Sequence, residues 1–362
     1  MRIVHTESSL GWGGQEIRVL AESQGMRRRG HDVTIVCAPG ARIQEEAPHW
    51  GVPLVALPIG KKTWEGLRSL KDWLARHRCD ILNTHSSTDS WLGSLATRWL
   101  GRPWPVVRTR HISAPVPQGP LSRWLYMSAA ARVVTTGEAL RRQLIEANGF
   151  DPRRIESIPT GIDAARFVPG NRRAARVALG LPPEGVLVGI VATLRSWKGH
   201  ADLLEAIARL PNGPRLVIVG DGPQREALAA KTHALGLEAR VHMAGQQGDV
   251  VPWLQALDIF VLPSYANEGV PQALIQAMLT GLPAVTTPIG GIPELAEHER
   301  TALLVPPRDV EAIATAVSRL SADSSLREAL GAAARRHCEA NYTYERMLDR
   351  MEGAYRHVLA GH

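Results

Sequence analysis

Three cysteines in 362 residues, Cys37, Cys79 and Cys338, are odd in number and widely spaced, and they form no metal-ligand pattern. A disulfide framework and a structural zinc site are therefore not expected, and a reducing compartment fits best. No apolar run approaches the roughly 20 residues that a membrane-spanning helix needs. The opening "MRIVHTESS" has no signal-peptide core. The expectation is a soluble, cytoplasmic protein. Helix-turn-helix, RNP-like and zinc-finger patterns are missing and the arginines are scattered, which argues against nucleic acid as a partner.

What is present is a chain able to bury a sizeable core, with 44% hydrophobic and 21% charged residues. Its length suits two domains of ordinary size. The net charge of +7 is uneven. The first 165 residues carry 22 Lys and Arg against 15 Asp and Glu, and the remainder carries 20 of each. Eight of the ten tryptophans also lie in that first half. A basic, Trp-rich half suits an anionic membrane face or an acidic acceptor, and equally suits an ordinary solvated surface.

Short β-branched runs alternate with longer amphipathic stretches. Strands are expected at 2–6, 32–38, 52–58, 79–85, 105–111 and 131–137, and again at 186–193, 214–220, 239–245, 257–264, 283–288 and 301–307. These runs are more apolar than alternating, as in parallel strands covered on both faces. The Pro-, Gly- and Arg-rich stretch 161–185 holds no strand and reads as the interdomain connection. The fold class is α/β, with two Rossmann-like βαβ domains facing each other across a cleft. The first covers 1–164 and the second 165–339, with a C-terminal helix of about 340–362 able to return to the first. Ligands of such sheets sit outside the carboxyl ends of the strands.

Several strand-end loops carry candidate chemistry. "SSLGWGGQE" (8–16) opens a helix after the first strand, and its glycines suit close approach of a phosphate or leave a flexible loop. It is not G-x-G-x-x-G, and no acidic residue closes the second strand, which weakens a dinucleotide reading. In "VATLRSWKGH" (191–200), Arg195 and Lys198 suit a diphosphate or simply a solvated loop. "VGDGPQREAL" (219–228) shapes a turn and names no chemistry. In "YANEGVPQALIQAMLTGLP" (265–283), Glu268 precedes a short helix on which Gln272, Gln276 and Thr280 share a polar stripe. The residues alone leave open whether Glu268 and Gln276 bind a ligand or merely stabilise and solvate a helix. "TTPIGGIPELAE" (286–297) places Gly290 and Gly291 before a helix beginning near Glu294, and His85 and His111 each close a strand of the first half.

Taken together, "GWGGQE", "IPTGIDAARFVP", "LRSWKG", "VGDGP", "NEGVPQALIQAMLTGLPAV" and "GGIPEL" occur in the order found in the retaining glycosyltransferases of family 4, of GT-B architecture, which the chain resembles over almost its whole length. The resemblance implies transfer of a sugar from a nucleotide diphosphate sugar, with retention, no metal and no cofactor. It implies that Arg195 and Lys198 hold the diphosphate, and that Gly13 and Gly14 approach the donor or acceptor. Glu268 would bond the donor sugar, and His111 would line the sugar site. Gly269, Val270, Gly291 and Glu294 complete the expected donor contacts. His85, Trp12 and Gln15 are the expected acceptor contacts. Gln276 stands where the family's second carboxylate binds the ribose, Thr160 where Asn is frequent and Thr193 where Arg is common.

The expected donor is a UDP-sugar. The expected acceptor is a glycan or lipid-linked molecule of lipopolysaccharide or other cell-surface polysaccharide assembly, with peripheral contact at the inner membrane face. A nucleotide-sugar epimerase and a non-catalytic nucleotide-sugar-binding homologue are the alternatives.

Overall fold

A computed structural model describes residues 1–101, 104–112 and 114–361. The chain divides into two compact units, Met1–Thr160 with Glu345–His362, and Gly161–Tyr344. His362, the end of the expected terminal helix, lies outside the described residues.

The first unit is built on seven parallel strands: β1 (Arg2–Glu7), β2 (Asp32–Cys37), β3 (Leu54–Ala56), β4 (Ile81–Thr84), β5 (Val106–Arg110), β6 (Arg132–Thr135) and β7 (Ile155–Ser157). They lie in the order β3-β2-β1-β4-β5-β6-β7. The chain runs outward from β1 to β3, then returns to β4 on the other side of β1. The order therefore reverses between β1 and β4, the position where open sheets of this kind leave a crevice. Strand β7 was not anticipated, because its three residues "IES" carry no apolar run.

The second unit has six parallel strands: β8 (Leu187–Val191), β9 (Arg215–Val219), β10 (Val241–Gly245), β11 (Ile259–Leu262), β12 (Ala284–Thr286) and β13 (Leu303–Leu304). Their order is β10-β9-β8-β11-β12-β13, with the reversal between β8 and β11. Central strands β8 and β11 are buried along their whole length, consistent with their unbroken apolar sequences. Each fully buried Leu or Ile here contributes roughly 1.5–3 kcal/mol relative to exposure.

Two features depart from the sequence expectation. Residues 161–185 are not a free connection, because they belong wholly to the second unit. Their helix Arg172–Ala178 is clamped by Arg176, 3% exposed, which donates to the carbonyls of Ala256 (2.8 Å) and Gly185 (2.9 Å). Arg172 pairs with Asp258 at 2.9 Å. A Pro- and Arg-rich composition reads as a linker only until its arginines find buried acceptors.

The terminal helix spans Tyr344–Ala360 and is separated from Ser324–Asn341 by a break at Tyr342 and Thr343. There, Ile162 exchanges backbone bonds with Tyr342 and Tyr344, both 2.9 Å. Within the first unit, Tyr355 donates to Glu22 on the helix Gly14–Arg28 and accepts from Asn83 at 2.8 Å. Arg29 bridges Glu345, Asp349 and Glu352.

Candidate functional site

At the reversal point of the first unit, alternate residues of β1 and β4 put His5, Glu7, Asn83 and His85 on one face. Glu7 closes β1, is fully buried and accepts from Ser9 N–H (2.8 Å), Ser86 Oγ (2.7 Å) and Gln15 Nε2 (2.6 Å). Asp89 is also fully buried. It accepts from Thr6 Oγ1 (2.8 Å), His85 N–H (2.9 Å), Ser86 N–H (2.8 Å) and Ser8 Oγ (3.3 Å). Burial raises both carboxyls above their ordinary range, and the Asp89 charge raises Glu7 further. Four donors to Asp89 favour its ionised form, so Glu7 holds the proton of the pair.

Beside them runs a chain of three imidazoles. His5 Nδ1 lies 2.8 Å from His85 Nε2, and His85 Nδ1 lies 2.9 Å from His111 Nε2. Burial lowers all three pKa values, and nearby arginine charge adds to this at each. The chain is therefore neutral near pH 7. His5 Nε2 is buried without a partner. A buried orphan N–H is rarer than a bare acceptor, so we orient the chain with His5 Nδ1–H donating to His85 and His85 Nδ1–H donating to His111. The remaining proton of His111, which is partly exposed, then sits on its Nδ1.

This geometry revises the expected acceptor contacts. His85 is 4% exposed with both ring nitrogens engaged, so it supports His111 rather than meeting a ligand. Gln15 is tied to Glu7 and to Ser86 Oγ (2.8 Å). Trp12 packs against the cluster containing Val19, Leu20 and Ile35. Gly13 is extended (φ −176°), an added Cβ there would meet only ordinary contact, and Gly14 begins the helix. Sequence reasoning missed Glu7, Asp89 and His5. The available signal was "SSTD" (86–89), a Ser-x-x-Asp capping box that opens the helix after β4.

At the reversal point of the second unit, the loop after β8 and the loop after β11 meet. Arg195 begins a single 3₁₀ turn, Ser196–Lys198, and Gly199 closes it at φ +76°. A Cβ on Gly199 would lie 2.2 Å from the Pro263 carbonyl oxygen, so only glycine lets the two loops approach. Lys198 Nζ donates to Glu268 Oε1 at 2.6 Å, and Ser264 Oγ donates to the same oxygen at 2.6 Å. Glu268 is 4% exposed. Asn267, just before it, holds φ +56°, a left-handed conformation that Asn tolerates and that aims the carboxylate inward. Arg195 is exposed, lies over the Trp197 ring at 5.7 Å and pairs with no carboxylate among the described residues.

The "GGIPEL" loop joins this group. Gly290 has φ +60°, and a Cβ there would lie 2.0 Å from the Glu268 carbonyl oxygen. Gly291 N–H donates to the Gly269 carbonyl at 3.2 Å. The following helix is only Ile292–Leu295, so it begins two residues before Glu294 and offers a single turn. Glu294 is half-buried, and its carbonyl accepts from Tyr342 Oη at 2.6 Å. The Val270 side chain belongs to the core, leaving only its backbone for a ligand. Gln276 is half-buried on the helix Gln272–Leu279. Thr280 is 5% exposed with its hydroxyl bonded to the Gln276 carbonyl, so it is not on a solvated stripe.

Two described sequence families match this chain: "Glycosyltransferase Family 4" over residues 12–166 and "Glycosyl transferases group 1" over residues 185–323. The chain belongs to these family-4, group-1 glycosyltransferases. A curated relative, the D-inositol 3-phosphate glycosyltransferase of Mycobacterium tuberculosis, is 32% identical over 305 residues, 77% of this chain. The chain spans only 62% of that relative's length. A glycosyltransferase structure from Rickettsia africae superposes with a TM-score of 0.88 at 20% identity, covering 99% of this chain and 98% of its own. Anabaena HepE in complex with UDP-glucose gives 0.85 at 20% identity, covering 98% and 99%. These likenesses place the fold among the GT-B glycosyltransferases.

Proposed function

We propose that the chain transfers a hexose from a UDP-sugar to an anionic glycan or lipid-linked acceptor of cell-surface polysaccharide or lipopolysaccharide assembly, with retention and without a metal ion. The observation that carries this reading is the convergence of Arg195, Lys198, Glu268 and the Gly290–Gly291 loop where the strand order of the second sheet reverses. UDP-glucose is the first donor to test, because the HepE structure holds it. Inositol phosphate glycosylation by the mycobacterial relative, as its name states, supports an acceptor that carries negative charge.

In this mechanism the exposed Arg195 guanidinium forks onto the diphosphate and Lys198 adds a point charge as the sugar–oxygen bond breaks. Glu268 fixes the sugar hydroxyls, and the Gly290 N–H bonds the phosphate, since the Gly291 N–H is already given to the Gly269 carbonyl. A leaving phosphate oxygen takes the proton of the acceptor hydroxyl as that hydroxyl enters from the same face. The motif keeps one carboxylate, Glu268, with Gln276 in the second position, which speaks against a double displacement through a carboxylate nucleophile and its partner acid. His111, held as its Nδ1–H tautomer, is left with a ring N–H for a ligand of the first unit.

Of the eight first-half tryptophans, Trp73 and Trp104 are buried, whereas Trp64 (67% exposed) and Trp99 (50%) lie against each other, tilted by 35°, with ring centroids 5.2 Å apart. Lys71 lies over Trp99 at 4.7 Å. That exposed pair with its cation is our proposed peripheral membrane contact, at the cytoplasmic face. Among the described residues, no helix is long and apolar enough to cross a membrane.

The deciding experiment incubates the protein with UDP-glucose and lipid-linked or phosphorylated glycans, with and without EDTA. Release of UDP with a hexose mass gain on the acceptor, an α-anomeric product by NMR and indifference to EDTA are expected. An isomerised donor of unchanged mass would mean epimerisation. Tight donor binding without turnover across acceptors would mean a non-catalytic homologue.

A further inference from the structure

A cavity of about 380 Å³ opens in the first unit at the amino ends of β5 and β6, the edge opposite the carboxyl-end crevice. Five-residue β5 separates the two edges by roughly 15 Å. Nothing in the glycosyl-transfer reading uses this cavity, and the inference does not depend on that reading. Its volume lies at the lower end of the roughly 300–1,000 Å³ typical of small-molecule sites.

The wall is cationic. Arg98, Arg132, Arg153, Arg154 and His357 line it, and no Asp or Glu does so among the described residues. Arg154 is spent on structure, donating to the carbonyls of Met127 and Ala130. Arg153 is largely exposed and paired with Asp151 at 3.0 Å. Arg132 is mostly buried, donates to the Arg153 carbonyl at 3.4 Å and pairs with Glu156 at 3.7 Å, while its Nε is buried without a partner. Arg98 is exposed and has no carboxylate partner among the described residues. Arg98, exposed and without a carboxylate partner, and Arg132, held by one long ion pair, thus line a cavity with no lining carboxylate among the described residues, which favours an anion there.

The rest of the wall is suited to a sugar ring. Trp104 and Trp124 contribute indole surface, with Trp104 pinned by a bond from its Nε1–H to Thr97 Oγ1 at 3.2 Å and Trp124 stacked on Trp91 at 5.4 Å. Ser94 and Ser128 add hydroxyls. Flat apolar faces, hydroxyls and forked cations together match a carbohydrate carrying phosphate or carboxylate. We propose that this cavity is a second, non-catalytic site for an anionic sugar, a sugar phosphate or uronate, remote from the donor residues.

Titration calorimetry on the full chain with glucose 6-phosphate, glucose and inorganic phosphate, run at saturating UDP, tests this. Glucose 6-phosphate should saturate, Arg98→Glu and the cavity-filling Ser128→Trp should each weaken it about tenfold or more, and Lys198→Ala should leave it unchanged. Circular dichroism melting confirms that each variant is folded. Three outcomes overturn the proposal: no saturation, loss in Lys198→Ala with retention in Arg98→Glu, or glucose binding as tightly as its phosphate. Inorganic phosphate binding as tightly as glucose 6-phosphate overturns the assignment to a sugar.

Discussion

The Nζ of Lys198 lies 2.6 Å from Oε1 of Glu268, on a carboxylate that is 4% exposed. The cation expected to meet a diphosphate is thus also the partner of the carboxylate expected to meet the sugar. Removing Lys198 does two things, since it deletes a charge from the site and strands a buried carboxylate. Lys198→Ala should lower kcat by about 10²–10³-fold and also lower the melting temperature. Adding Glu268→Gln in that background should restore part of the melting temperature and none of the turnover. Near-normal kcat in Lys198→Ala would remove Lys198 from the mechanism.

The loops that create this pairing depend on close backbone approach. Gly290 and Gly199 both hold positive φ, and a Cβ at either would sit within 2.2 Å of a carbonyl oxygen. Relief requires one loop to retreat from the other. Gly290→Ala should cost about 2–3 kcal/mol in urea unfolding and weaken UDP binding more than the exposed-turn change Gly236→Ala, where an added Cβ meets nothing within 4 Å. Equal effects of the two would show that strain alone, not the approach to Glu268, sets the cost.

All six strands anticipated in each half are present, because parallel strands buried on both faces leave long β-branched runs that no surface helix imitates. That Lys198 and Glu268 come together was legible for a related reason, since each lies in the loop that follows a central strand. Glu7, Asp89 and His5 were not. They are polar residues within or just after runs that otherwise read as core, and their roles arise only when β1 pairs with β4 and brings residues 80 or more positions apart into contact. The helix Arg172–Ala178 was obscured by its own composition, because nothing local shows that Arg176 reaches Asp258.

Gln276 offers a test of donor affinity by addition rather than removal. A Gln amide accepts one ribose bond neutrally, whereas a carboxylate accepts it with charge assistance, a difference of about 1 kcal/mol. The side chain is half-buried on a well-packed helix, so a carboxylate fits without repacking. Gln276→Glu should tighten UDP by up to about tenfold in calorimetry, with little change in kcat at saturating donor. Complete loss of binding would show that Gln276 faces something other than ribose.

Stability should also depend on pH through the buried carboxyl and imidazole groups of the first unit. Burial and the Asp89 charge raise Glu7 to about 8. The unfolded chain releases that proton in the ordinary carboxylate range, so between there and about pH 8 the folded state holds more protons, and stability falls as pH rises. His85 and His111 act in the opposite sense. Burial lowers both well below 6.5, so the folded state holds fewer protons there, and their contribution, present above 6.5, is lost as pH falls through the window beneath it. Above about pH 6.5 the Glu7 trend therefore stands alone, at most about 1.4 kcal/mol per pH unit for one proton. Below it the two trends oppose. Urea unfolding of the wild type should show stability declining from about pH 6.5 to 8. Glu7→Gln should abolish that decline and steepen the loss on the acid side, where the histidines are no longer offset. A variant that keeps the alkaline decline would show that Glu7 is ionised throughout, and that the carboxyl pair carries two charges rather than one.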